Sequence, residues 1–149
     1  MERFEMSTKK LNKRLARKWC DALESGEYDQ CQGQLGEYDP VKDEDSFCCL
    51  GVLCIVEGFT TTEEEPKSWT GLSKEERDVR PRQLTFNDPK YKTDKALKKY
   101  GRTEQYSVPS WSKLNLPNTH MDKLVQMNDL HNKSFKQIAK YIRKHVIGE

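Results

Sequence analysis

The feature that most constrains this chain is its one long apolar run, Phe47-Cys48-Cys49-Leu50-Gly51-Val52-Leu53-Cys54-Ile55-Val56. A segment that is apolar on every side belongs at the centre of a fold. Ser46 ahead of it and Gly58 behind it read as helix punctuation, so the run predicts a central buried helix rather than a strand. Gly51 inside that helix costs about 1 kcal/mol relative to alanine. Close approach of another backbone, expected to be the first helix, would offset the cost. Elsewhere hydrophobic material is scarce: of 149 residues 34% are apolar and 34% charged. Disorder would also need a large net charge, and the total is only +2. The expectation is one folded domain over residues 1–149, with a thin core and long polar surface segments. No run approaches the roughly 18 apolar residues of a membrane span and no leader-like segment stands out, so a cytoplasmic setting is expected.

Amphipathic periodicity marks three more helices. Leu11, Leu15, Trp19 and Leu23 recur every fourth residue and predict a helix over 8–25, capped by Ser7 or Thr8 and ended by Gly26. Asn118 is the expected cap of a helix through about Asp129, with Met121, Leu124 and Val125 on one face. Ser134 caps a last helix whose apolar stripe is Phe135, Ile138, Ala139, Ile142 and Val146. The connection over 130–133 is short, so these two helices should be neighbours. Residues 28–36 are too polar and Gly-rich for a helix and suit a short strand or hairpin. Residues 37–46 read as an acidic, Pro-containing loop. Residues 59–117 hold five prolines and few periodic apolar positions, and read as ordered loop pinned by Trp69, Phe86, Tyr106 and Trp111. Helical turns are expected there near 73–79 and 94–100. The fold class that follows is α+β: a mostly helical single domain with a short β-hairpin packed on a small helical core.

Charge is unevenly spread. Residues 1–20 carry +5, residues 21–66 carry −12 and residues 67–149 carry +9. Such segments can simply face one another or stay solvated. A basic surface can also attract phosphates. Its best carrier is Lys90, Lys92, Lys95, Lys98, Lys99 and Arg102, interleaved with Tyr91 and Tyr100, where lysines would neutralise phosphates and rings would stack on bases. The five cysteines, Cys20, Cys31, Cys48, Cys49 and Cys54, are odd in number and form no CxxC pair, which predicts reduced thiols and no metal site.

Three chemistries compete. Cys48 or Cys49 at the start of a helix could be a papain-like nucleophile, with Gln30 or Gln32 as oxyanion donor and His120 or His131 with Asn128 or Asp129 completing the set. Buried cysteines are more often small apolar fillers, so no catalytic residue is assigned. The last two helices could instead present Lys136, Lys140, Arg143 and Lys144 to a DNA groove, although no third helix follows them. Finally, Tyr28, Gln30, Gln32, Asn128 and Asp129 are polar residues beside elements expected to be packed. Asn128 shares a helical face with Met121, Leu124 and Val125, so it needs partners. Either it caps the helix end, or it binds a ligand together with Gln30.

The arrangement Trp19-x-x-Ala22-Leu23-x-Ser25-Gly26-x-Tyr28-x-Gln30-x-x-Gly33-x-Leu35, followed by Phe47-Cys48-Cys49-Leu50-Gly51-Val52-Leu53-Cys54, resembles a group of small proteins of tailed bacteriophages and prophages. Met127-Asn128-Asp129 and Ser134-Phe135-x-x-Ile138-Ala139-x-x-Ile142 are similar to the group's C-terminal pattern, with His131-Asn132 where a glycine is usual. The resemblance implies a viral origin and a host-cytoplasm setting, but no mechanism. The functional expectation is a non-catalytic accessory protein without cofactor, with the countering of host defence as one expected use. Two modes are open: a small phosphorylated, nucleotide-like ligand held in a basic pocket, or a host protein masked by the acidic 21–66 segment. The ligand-binding residues expected are Tyr28, Gln30, Gln32, Asn128, Asp129, Lys95, Lys98, Lys99 and Arg102. A cysteine-dependent hydrolase and a DNA-binding protein are the alternatives.

Overall fold

A computed structural model describes residues 10–87 and 114–149. Helix α1 (Lys13–Glu24) buries Ala16, Trp19, Cys20 and Leu23. It begins later than its periodicity suggests because residues 10–12 are extended: the Asn12 amide donates to the Leu114 carbonyl at 2.9 Å, and the Asn115 side chain donates to the Lys10 carbonyl at 3.1 Å. The cap is therefore Asn12, whose side chain accepts from the Leu15 amide. Ser7 and Thr8, the expected caps, lie outside the described residues.

The apolar run folds as expected into a buried helix, α2 (Cys49–Val56). Ser46 is not its cap; it lies in a strand, and Cys48 caps the helix by accepting the Gly51 amide at Sγ. A backbone does approach Gly51, but it is not the first helix. A Cβ there would collide with the carbonyl oxygen of Leu35, which already accepts the Cys48 amide at 3.1 Å.

The sheet overturns the expected short hairpin. Its strands are β1 (Asp29–Gln30), β2 (Gly36–Asp39), β3 (Glu44–Phe47), β4 (Thr60–Glu64) and β5 (Arg82–Asn87), in the order β1-β3-β2-β5-β4. β1 runs parallel to β3 and the other pairings are antiparallel, giving a five-stranded mixed sheet. The hairpin that exists is β2–β3, in the segment expected to be an acidic loop. Residues 59–87, expected to be mostly loop, supply β4 and β5. The class remains α+β, with far more sheet than local pattern suggested. The reason is that β2, β3 and β4 bury little and carry Asp, Glu and Thr, so they lack an apolar alternation. Partner strands, not their own side chains, stabilise them. The helical turn near 73–79 is present as α3 (Lys74–Asp78), capped by Ser73 in a reciprocal bond with Glu76. The turn expected at 94–100 lies outside the described residues.

Helix α4 (Asn118–Asp129) starts with Pro117, not Asn118, in the cap position. Helix α5 (Phe135–Tyr141) is capped by Ser134 with Gln137 reaching back. Between them Asn132 stands at φ 52, so an asparagine carries the left-handed turn. The last helix widens into a π-helical stretch over Ile142–Ile147. That shifts the phase of the apolar stripe: Phe135, Ile138, Ala139 and Ile142 are buried as expected, but Ile147 replaces Val146 as the last buried position. α1 packs on α2 and α5, and α4 packs on α2 and α5. Phe47, Leu84 and Phe86 bring the sheet into the same core. Helices α1 and α2 are tied by Trp19 Nε1 donating to the Cys49 carbonyl at 2.8 Å. Among the described residues no helix is long and apolar enough to cross a membrane.

Candidate functional site

Cys48 and Cys49 do stand at a helix N-terminus, as a thiol nucleophile would require, but both are sealed: 3% and 1% exposed. Burial pushes the Cys48 thiol up to about 12, although the Gly51 amide pulls the other way, and it also raises Cys49 well above the ordinary thiol value. Desolvation therefore outweighs the helix terminus, and both groups stay protonated at neutral pH. Their partners are backbone groups, since Cys49 Sγ donates to the Leu124 carbonyl at 3.9 Å. The histidines gather elsewhere. His120 Nδ1 lies 3.0 Å from the Tyr141 hydroxyl, the His145 ring packs on Tyr141 at 4.9 Å, and His131 is exposed in the α4–α5 turn. Among the described residues no group of three or more Cys, His, Asp or Glu could hold a metal ion.

Gln30, Asn128 and Asp129 do meet, across 98 residues of sequence between the first two. Gln30 Nε2 donates to Asn128 Oδ1 at 2.8 Å and to the Lys133 carbonyl at 2.9 Å. Asn128 Nδ2 donates to the Cys31 carbonyl at 2.9 Å and to Asp129 Oδ1 at 2.8 Å. Asp129 Oδ1 also accepts the Gly33 amide at 3.1 Å. Gln30 and Asn128 thus spend their amide donors on side chains of the node and on backbone, pinning β1 and the loop after it to the α4–α5 turn, while Asp129 Oδ2 is buried without a hydrogen-bond partner. Asn128, 1% exposed, is the centre of this node. Tyr28 and Gln32 are not part of it. Tyr28 packs its ring edgewise on Phe47 at 5.8 Å. Gln32 is exposed and, with Gln30, lines a largely acidic recess of about 500 Å³ that also holds Asp29, Glu37, Asp39, Glu44, Asp45 and Lys42. Lys95, Lys98, Lys99 and Arg102 lie outside the described residues.

A second groove, of about 280 Å³, runs along α4 and α5. It is lined by the buried Met127 and half-buried Tyr141 together with Lys133, Gln137, Lys140, Lys144 and His145. Residues 137, 140, 141 and 144 fall on one helical face because they are spaced by three or four. The opposite face of the same helix carries the buried stripe. Arg143, expected to face DNA with its neighbours, turns instead to α1: it donates to both Glu24 carboxylate oxygens, at 3.1 and 2.9 Å, and to Asp21 at 2.8 Å. Lys133, Lys140 and Lys144 make no ion pair among the described residues. The sequence reading found Lys140 and Lys144 but not Met127, Tyr141, His145 or Lys133 as their companions. The available signal was the four-residue spacing of lysines opposite an apolar stripe.

Fold and groove together define a small α+β domain in which a five-stranded mixed sheet backs a cluster of helices. A family model described as a domain of unknown function (DUF8296) matches residues 11–146, and the chain belongs to that family. No curated protein and no solved structure matches it.

Proposed function

We propose that this chain is a phage-encoded accessory protein that acts by binding, in the host cytoplasm, a small anionic, nucleotide-like ligand. The observation that carries this reading is the cluster of three lysines along the α4–α5 groove that have no acidic partner among the described residues. Uncompensated ammonium groups raise the local concentration of anions. The sealed, protonated thiols at Cys48 and Cys49 support binding over thiol chemistry. The phage origin rests on the resemblance of the Trp19–Leu35 region, the cysteine-rich helix and the Ser134-Phe135 helix described above. Masking of a host protein is the second mode, favoured by the acidic recess beside β1–β3.

The test is thermal unfolding of the full chain with nucleoside mono- and triphosphates and cyclic dinucleotides. A ligand present at 100 times its Kd adds about 2.7 kcal/mol of stability, a shift of several degrees in Tm. No shift with any of them at millimolar concentration overturns the small-ligand reading.

A further inference from the structure

We infer that the α4–α5 groove is a mononucleotide site, taking phosphate on Lys133, Lys140 and Lys144 and a planar base against Met127 and Tyr141; this rests on the anion-binding reading above and adds the place and class of ligand. Charge is the first argument. Among the described residues no carboxylate lines the groove, whereas the neighbouring Arg143 is neutralised by Asp21 and Glu24. The helix thus separates its cations into one that holds the fold and a set left for an outside anion. Lys140 and Lys144 lie four residues apart across the junction of α5 with the π-helical stretch, and Lys133 approaches from the turn before α5.

The second argument is the apolar lining. An inorganic anion would gain nothing from an apolar surface, yet Met127 is buried there and Tyr141 is half-buried. Tyr141 is held before any ligand arrives: its hydroxyl is 3.0 Å from His120 Nδ1, and the His120 and His145 rings pack on it at 5.9 and 4.9 Å. A fixed aromatic ring and a polarisable thioether suit a flat heteroaromatic group. Gln137 adds polarity of the right kind. Its Oε1 accepts the Ser134 amide at 2.9 Å, which leaves the Nε2 donors for the edge of a base. Size is the third argument. At about 280 Å³ the groove sits at the small end of ligand sites, suiting one nucleotide rather than two.

The experiment is calorimetric titration of the full chain with ATP, AMP, adenosine, inorganic pyrophosphate and a short DNA duplex. ATP and AMP should bind, with adenosine and pyrophosphate at least tenfold weaker. The Lys140→Ala/Lys144→Ala variant should lose at least tenfold in ATP affinity while its Tm without ligand stays unchanged, because both side chains are exposed. If ATP binds the variant as well as the parent, the groove is not the site although the anion-binding reading stands. Pyrophosphate binding as tightly as ATP removes the base from the inference and overturns it. A duplex that outcompetes ATP and is lost in the variant overturns it in favour of a nucleic-acid face. If none of the probes binds, the mononucleotide inference is overturned, whereas the anion-binding reading falls only if the cyclic dinucleotides and other nucleotides of the thermal-unfolding test fail as well.

Discussion

At the scale of single residues, two positions do work that their identity alone only hints at. Gly51 sits in a helix where alanine is the better helix former, yet a methyl group there meets the Leu35 backbone. Backbone cannot step aside as a side chain can, so Gly51→Ala should destabilise the fold by about 2–3 kcal/mol, read as a lower urea midpoint. The need for a close backbone approach was legible from glycine in an apolar helix; its partner was not. Asn128 was legible as a polar residue on an apolar face, and Gln30 as its companion. That they would satisfy each other was hidden, because hydrogen-bond partners 98 residues apart are set by the fold. Asn128→Ala strands the Cys31 carbonyl and the Gln30 amide, and should cost about 2–4 kcal/mol. A double-mutant cycle with Gln30→Ala should return a coupling of about 0.5–2 kcal/mol; strict additivity would show that the two side chains do not cooperate.

At the scale of elements, the helices were readable and most of the sheet was not. A helix is specified by caps and by spacing within a few residues, so α1, α2, α4 and α5 could be placed from Trp19, Cys49, Leu124 and Ile138 outward. β4, Thr60–Glu64, carries no comparable signature; it exists because β5 pairs with it along its whole length. The π-helical stretch after Tyr141 was equally silent, and it decides that Ile147 rather than Val146 is buried. The same stretch carries Arg143, which clamps the chain's last helical segment to α1. The Glu24 carboxyl is held below its usual range by its hydrogen bond to Arg143. A depressed carboxylate contributes stability above the unfolded value near 4.5, and that contribution is lost as pH falls through the folded value. Arg143→Ala should cost about 1 kcal/mol at pH 7 and less at pH 3, since a partly exposed pair is screened. Equal loss at both pH values in urea unfolding would mean that the guanidinium acts only through packing of its stem.

For the whole molecule, the five buried thiols are a shared liability toward alkali. Burial raises Cys20, Cys31 and Cys48 to about 12, and lifts Cys49 and Cys54 well above the ordinary thiol value. An unfolded thiol titrates near 8.5. Between those values the unfolded chain releases protons that the folded chain retains, so stability is complete below about pH 8.5 and declines as pH rises toward 12. Urea midpoints under reducing conditions should therefore fall steadily above pH 9; a flat profile to pH 10.5 would show the thiols to be solvated. The same burial predicts that a thiol reagent leaves Cys48 and Cys49 unmodified in the native state and labels all five on unfolding. By itself the sequence determined what must be buried, because apolar spacing and capping are local properties of the chain. Only the tertiary structure decided how five strands pair, that Gln30 and Asn128 spend their polarity on each other, and which lysines line the α4–α5 groove. Those outcomes depend on contacts between residues far apart in sequence, and no local pattern records them.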